Sequence, residues 1–298
     1  MSDTAGFLSS LGDFLLNAPS GLTGFVTDLV EEIDRKVDRI PTELNEYGYD
    51  PWGYNPAVFK RLVLPAAFLY RYYFRCQTRG LENLPQGRVL LIGNHAGQLP
   101  LDGVMVTIAC ILEAEPPRLP RAMGEYFLGV LPFLSVLVDR AGSAVGTRQT
   151  AVDMLEHDEC VLAFPEGVRG MNKLYTDAYK LMHFGLGFMR LALATKTPIV
   201  PVSIVGSEEQ APGIANLKGL AQLLGMPSFP ITLTFPWLGP LGMLPLPVRY
   251  HIEFGKPLLF DGDPEDEDDV IQAKVEEVKT ILQRQLSEGR ARRRSIFF

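Results

Sequence analysis

Two short polar stretches break the apolar middle of this chain, and both carry side chains able to do chemistry. The first is Asn94-His95-Ala96-Gly97-Gln98-Leu99-Pro100-Leu101-Asp102 and the second is Pro165-Glu166-Gly167-Val168-Arg169-Gly170. A histidine titrates near neutral pH and can take a proton from a hydroxyl, provided an acid holds its tautomer. Asp102 is the acid available to His95 if the loop between them folds back. In the second stretch a glycine lets backbone amides approach a ligand, and Arg169 offers a planar fork suited to a phosphate. Each has a plainer reading: a histidine satisfied within a loop, and a Glu166–Arg169 pair on the surface. The remaining candidates point to structure. His157, His183 and His251 fall in helix or strand patterns with no partnered motif, and Cys160 starts a buried strand. Glu208 and Glu209 read as a solvated turn rather than a metal site. Gly185-Leu186-Gly187 lies within a helical pattern and reads as close packing.

Loops of this kind need a frame. In open α/β sheets, ligands bind beyond the C-terminal ends of the strands, and each polar stretch follows an apolar run of strand length. Arg88–Gly93 (RVLLIG) leads into the histidine loop and Cys160–Phe164 (CVLAF) into the Glu–Arg turn. Ile199–Val205 (IVPVSIV), which holds Pro201, leads into Gly206-Ser207-Glu208-Glu209. Continuous apolar runs bounded by turns mark strands buried on both faces. Short strands at Arg121–Met123 and Arg249–Phe254 complete the set. Helices are expected at Gly103–Glu113, Tyr126–Val138 with a break at Pro132, Thr147–His157, Lys180–Thr195 and Pro264–Leu286. The acidic first turns of the last suit the positive end of its dipole. Strand and helix in alternation imply an α/β fold, a mixed, largely parallel sheet flanked by helices.

Residues 1–75 read as an N-terminal helical, membrane-associating arm. Phe7, Leu8, Leu11, Phe14, Leu15 and Leu16 form one amphipathic stripe, and Val26, Leu29, Val30, Ile33 and Val37 form another against a charged face. Lys60–Arg75 brackets a short aromatic-rich run with four cations, as an interfacial anchor does, or a core helix capped by arginines. Residues 76–288 make the main domain and 289–298 (GRARRRSIFF) a basic-aromatic tail. Gly219–Val248 carries no charge over thirty residues, yet its six prolines break any lipid-exposed helix.

A composition of 47% hydrophobic and 21% charged residues excludes disorder, collagen and coiled coil. The net charge of −7 resides in Asp261–Asp269, which holds seven acids. The rest of the chain is neutral, so no basic face for nucleic acid exists before the last nine residues. Three unclustered cysteines, Cys76, Cys110 and Cys160, support neither a disulfide framework nor a zinc site and fit a reducing compartment. No basic leader opens the chain, and no G-x-S-x-G elbow of a hydrolase occurs.

The pieces NHAGQLPLD, LVDRAG, FPEGVRG and IVPVSIVGSEE stand in the order and spacing of four blocks of the glycerolipid acyltransferase family. The chain resembles that family, which includes lysophosphatidate and glycerol-3-phosphate acyltransferases, over residues 76–260. The segments DPWGYNP (Asp50–Pro56) and FPWLGPLGMLPLP look more like its branch of monoacylglycerol and diacylglycerol acyltransferase-like proteins. The resemblance implies that His95 is the general base on an acceptor hydroxyl and Asp102 its orienter. It further implies that Arg140, Glu166, Gly167 and Arg169 bind the acceptor and that Pro201 shapes the pocket. One departure stands out. The family's first motif separates His and Asp by four residues, whereas six separate His95 from Asp102 and Pro100 takes the usual Asp position. GQLPL reads as a loop enlargement that still returns Asp102 to the ring.

The implied reaction moves a fatty acyl group from acyl-CoA, or from acyl carrier protein, to a glycerolipid hydroxyl, with no cofactor and no metal. The alkoxide attacks the thioester directly, so no cysteine nucleophile is needed. Arg140 and Arg169 favour a lysophospholipid acceptor such as 1-acyl-glycerol-3-phosphate, and the branch features favour a neutral mono- or diacylglycerol. A non-catalytic lipid-binding protein on the same fold is the rival from another class. Lipid substrates place the protein at the cytoplasmic face of a membrane bilayer. It would dock peripherally through the Phe7–Leu16 stripe, Lys60–Arg75, the Phe235–Pro247 loop and the tail.

Overall fold

A computed structural model describes residues 20–124, 144–145, 147–223 and 229–297. The Phe7–Leu16 stripe, the expected helix Tyr126–Val138 and Arg140 lie outside these residues. In chain order the strands are β1 (Gln77–Arg79), β2 (Val89–Gly93), β3 (Pro120–Gly124), β4 (Ala144–Val145), β5 (Cys160–Ala163), β6 (Ile199–Val205), β7 (Gly213–Asn216), β8 (Pro230–Thr232) and β9 (His251–Phe254). The helices are α1 (Ser20–Val37), α2 (Pro56–Phe68), α3 (Leu101–Leu112), α4 (Arg148–Glu156), α5 (Val168–Met171), α6 (Gly187–Thr195), α7 (Ser207–Gln210), α8 (Lys218–Leu223) and α9 (Asp268–Arg292).

The period-two alternation of a strand decides the layers. In β2, Val89 and Leu91 enter one apolar cluster with α1, α2 and α3, and Leu90 and Ile92 enter another with α4, α6 and α9. Both faces are therefore covered, as an apolar run without alternation requires. The seven strands lie in the order β1-β9-β6-β2-β5-β3-β4. β2 pairs in parallel with β5 and β6, while β9 runs antiparallel to β6 and parallel to β1. The parallel central strands all point their C-terminal ends one way, so the loops after Gly93, Ala163 and Val205 open at the same edge. β7 and β8 form a separate antiparallel pair.

Residues 20–75 are a layer of the domain rather than a free arm. Leu29, Ile33 and Val37 of α1 and Phe59, Val63 and Ala67 of α2 share one cluster with Val89 and Leu91. The chain beyond α2 adds a π-helical turn, Leu69–Tyr73, and buries Tyr70 and Phe74 at the same helical spacing. One face of the Lys60–Arg75 run thus belongs to the core, as in a core helix capped by arginines. Its cations are occupied: Lys60 pairs with Asp34 and Asp38, Arg71 pairs with Glu32, and Arg75 donates to the Pro247 and Phe297 carbonyls. No helix among the described residues is long and apolar enough to cross a membrane.

Arg121, on β3, is the largest fully buried side chain among the described residues. It pairs with Asp50 at 2.6 Å and Glu159 at 3.1 Å, and its guanidinium lies 5.3 Å from the Trp52 ring centroid and 5.2 Å from that of Tyr54. The Asp50–Pro56 segment is thereby clasped to the sheet, because Asp50 also accepts the Trp52 and Tyr54 amides. Arg121→Lys keeps the charge but loses the fork and the stacking. We expect it to cost about 1–3 kcal/mol in urea unfolding, and an unchanged midpoint would show the clasp to be dispensable.

Two helix boundaries depart from the sequence expectation. α6 begins at Gly187, not Lys180, because the preceding backbone is spent elsewhere: Leu181 N–H donates to Gln283, Met182 N–H to Glu166 and Gly185 N–H to the Pro165 carbonyl. Gly185 and Gly187 are not close-packed, since an added Cβ at Gly187 would meet nothing within 4 Å. They mark the helix start, and His183 lies in this irregular segment rather than in a helix. α9 starts at Asp268, not Pro264, and runs beyond Leu286 to Arg292, because Gly289 still packs on Val205. The expected tail is also tied down: Arg292 pairs with Glu253, Arg293 with Glu209 and Ile296 packs on the core.

Candidate active site

The loop after β2 and the turn after β5 meet. His95 is 9% exposed, and its Nδ1 lies 2.8 Å from Asp102 Oδ2. The enlarged GQLPL loop therefore does return the carboxylate to the imidazole. It does so through two left-handed residues, Gly97 (φ 90°) and Gln98 (φ 62°), after which α3 begins and carries Asp102 in its first turn. A Cβ on Gly97 would strike the Ser207 carbonyl, so glycine is required there. Asp102 is wholly buried and also accepts the Ala96 and Gly103 amides, at 2.9 and 2.8 Å. Three donors thus converge on its two oxygens in the first turn of α3. With the Nδ1 proton given to Asp102, Nε2 is the ring atom on which a substrate proton can be received. Phe164 stacks on the imidazole at 4.5 Å between centroids and fixes its plane.

The second turn packs directly on the first. A Cβ on Gly170 would lie 2.9 Å from the His95 carbonyl oxygen. Glu166 does not point outward to an acceptor. One carboxylate oxygen accepts the His95 amide at 3.0 Å and the other the Met182 amide at 2.7 Å, and the residue is buried. It acts as a strut beneath His95. Gly167 (φ 55°) opens α5. Arg169 is exposed and has no hydrogen-bond or ion-pair partner among the described residues, so its guanidinium is available one residue from the contact with His95. Pro201 sits within β6, where its Cγ would lie 3.2 Å from a Cβ added at Gly255. Its place is in the sheet, level with Ile92 of β2.

Several residues with decisive positions carry no signal as motifs. Asn94 uses both ends of its amide on Ile204, donating to the carbonyl and accepting from the N–H, and so pins the exit of β2 to β6. Gln210 donates to the Gly97 and Leu99 carbonyls and accepts from Tyr250. Glu208 and Glu209 are buried, contrary to the solvated turn the sequence suggests. Lys173, 1% exposed at its side chain, lies 2.8 Å from Glu208 and 3.6 Å from Glu166, and Arg293 lies 2.5 Å from Glu209. Burial pushes the Glu208 carboxyl up, and Lys173 pulls it back. The sign that marks them is an acidic pair close to the end of a fully buried strand, with only Gly206 and Ser207 between.

Other candidates stay outside. Burial pushes the Cys160 thiol up to about 12, which suits inert core. His157 is exposed and bonds the Asp153 carbonyl, and His251 is lowered first by burial and then by neighbouring arginines. No group of three or more His, Cys, Asp or Glu side chains among the described residues is placed to hold a metal ion. A groove of about 530 Å³ between α1 and α2, lined by Val30, Leu44, Tyr47 and Leu64 among others, touches none of the site residues. Size alone does not mark the site.

Residues 75–205 match a family model described as Acyltransferase. An uncharacterized protein of Mycobacterium tuberculosis is 38% identical over 260 residues, 86% of this chain and 72% of that protein. A chicken protein (Gallus gallus) described as a DGAT1/2-independent enzyme synthesizing storage lipids is 23% identical over 187 residues, covering 62% and 52% of the two chains. Among solved structures, the 1-acyl-sn-glycerophosphate (LPA) acyltransferase PlsC of Thermotoga maritima aligns with a TM-score of 0.53 at 17% identity, over 80% of this chain and 83% of that one.

Proposed function

The chain belongs to the glycerolipid acyltransferase family, and from that premise we propose that it transfers a fatty acyl group from an acyl thioester, acyl-CoA or acyl carrier protein, to the hydroxyl of a lysophospholipid such as 1-acyl-glycerol-3-phosphate. The observation that carries the reading is the 2.8 Å pairing of His95 with buried Asp102, packed against a turn that presents Arg169. His95 Nε2 takes the acceptor hydroxyl proton as the oxygen attacks the thioester carbonyl. The tetrahedral adduct collapses, the C–S bond breaks, and the departing thiolate recovers the proton from the imidazolium. Every bond change is accounted for without an acyl-enzyme. The core cysteine Cys160, with its thiol pushed up to about 12, is not called on.

Arg169 supports the phosphorylated acceptor, since an exposed guanidinium beside the base matches a phosphate dianion. A neutral mono- or diacylglycerol is the second reading, favoured by the likeness to the storage-lipid enzyme. Substrates that are lipids place the reaction at a membrane surface, on its cytoplasmic face. The deciding experiment incubates purified protein with labelled acyl-CoA or acyl carrier protein and a panel of lysophospholipids and neutral glycerides, and identifies the lipid products. No acylated product from any pair would sink the reading.

The two acceptors separate on one variant. Arg169→Ala should raise KM for phosphorylated acceptors about ten- to hundredfold, the equivalent of roughly 1.5–3 kcal/mol for a charged hydrogen bond, and leave neutral acceptors unchanged. An equal loss for both classes would assign Arg169 to structure or to the donor.

A further inference from the structure

Six of the fifteen large apolar side chains exposed among the described residues fall within positions 233–244, which marks one patch rather than scatter. Trp237 is 71% exposed and Leu241 70%. The segment is not loose. Thr232 N–H donates to the Phe235 carbonyl, Leu238 N–H to Thr234, Gly239 N–H to Pro236 and Thr234 Oγ1 to Gly242. This scaffold turns Trp237, Leu238, Leu241 and Leu244 outward, and no charged residue occurs from 219 to 248. At its base the charge changes. Arg75 bridges the Pro247 and Phe297 carbonyls, Arg249 N–H donates to Ile296, and exposed Arg294 has no ion-pair partner among the described residues. At its other contact the segment touches the catalytic loop: Leu246 N–H donates to the Gln210 carbonyl, and the Gln210 side chain holds the Gly97 and Leu99 carbonyls.

We propose that residues 229–248 form an apolar arm that docks the protein on a phospholipid bilayer containing anionic lipid, directly beside its own catalytic loop. The uncharged tip enters the interfacial layer, the indole of Trp237 rests at the headgroup level, and exposed Arg294 at the base meets anionic headgroups. The arm deepens the lipid-acceptor reading on which it rests, because it brings the bilayer surface to the side of the molecule that carries the His95 loop.

The test uses the full chain and vesicles of phosphatidylcholine with rising phosphatidylglycerol. Flotation should increase with anionic content, and lipids brominated on the upper acyl chain should quench tryptophan fluorescence. Trp237→Phe should abolish that quenching, because the other tryptophan, Trp52, is part-buried and bonded to Asp153. The double variant L241E/L244E should bind vesicles at least about tenfold more weakly, given two lost apolar side chains and two added charges. Its turnover with short-chain, water-soluble substrates should stay unchanged. Equal flotation of variant and parent, or undiminished quenching in Trp237→Phe, would overturn the proposal. So would a vesicle-free dimer that L241E/L244E dissociates, since the patch would then serve a second copy. Should the variant misfold, the quenching comparison between parent and Trp237→Phe still decides. Docking without any acyl transfer would leave the arm standing and remove the catalytic reading.

Discussion

His95→Ala should lower kcat for acyl transfer on the order of 10²–10⁴-fold while the protein still folds cooperatively, at a cost of about 1–3 kcal/mol for leaving buried Asp102 one donor short. The side chain borders the site and its removal leaves the backbone strut from Glu166 in place. Asp102→Asn should reach nearly the same loss in turnover, and the geometry says why. Three donors converge on the two carboxylate oxygens: the His95 ring N–H and Ala96 amide on Oδ2, and the Gly103 amide on Oδ1. An asparagine offers one oxygen and one NH2. If the NH2 faces the ring, the imidazole must accept at Nδ1, which places its proton on Nε2 and ends its use as a base. If it faces Gly103, two donors oppose each other in a buried site, at a cost of about 1–3 kcal/mol. Steady-state kinetics and urea unfolding on both variants separate these outcomes. Near-parental kcat in either variant would remove the general-base assignment.

Lys173→Met should be the most destabilising single change near the site. It leaves Glu166 and Glu208 buried together with no cation between them, and breaking a buried ion pair costs about 3–5 kcal/mol. The pH dependence carries the sign. Burial already raises Glu208 above the ordinary glutamate value of 4.5, and Lys173 is the largest influence holding it down. Without the lysine the folded-state value rises further above the unfolded one. The variant therefore recovers stability as the carboxyl takes a proton at low pH, and loses it as pH rises through the elevated folded value. The deficit against the parent should be larger at pH 8 than at pH 5 in urea titrations. A deficit independent of pH would show that Lys173 acts by packing alone. Because Glu166 bears the His95 amide, kcat should fall with the strut, and Lys173→Arg should restore part of both.

What the sequence showed, and what it hid, follows from the range of the forces involved. β6, Ile199–Val205, was legible to the residue, because a β-branched-rich run, apolar except for Ser203, lies between Pro198 and Gly206. The α/β sheet and the convergence of the two polar loops followed from strand ends alone. Lys180–Leu186 looked helical by composition, yet its amides are claimed by Glu166 and Gln283, from distant parts of the chain. No local pattern reveals such a claim. Glu166 itself carried the right motif, but its orientation depends on which amides reach it. Glu208 and Glu209 were misread for a related reason. Carboxylates are placed in solvent by default, and only the arrival of Lys173 and Arg293 makes their burial tolerable. The arginines of the last ten residues look like a free tail until Glu253 and Glu209 are seen opposite them.

The order of strands has a consequence for how the chain assembles during synthesis. β1 is made before the other strands among the described residues, but its neighbour in the sheet is β9, with Gln77 opposite His251. It therefore has no partner until almost the whole chain has left the ribosome. β2 likewise waits for β5 to cover one edge and for β6 to cover the other. Pairings between distant segments are slow, because the loop-closure entropy is spent before any contact is gained. Translation would thus present Val89–Gly93 as an apolar strand with two open edges until β5 is made, and with one open edge until β6 is made. The helices α1 and α2 are finished before that strand appears and belong to the cluster that covers one of its faces. They are its first available shelter, which gives the N-terminal layer a role in the nascent chain distinct from its place in the finished fold.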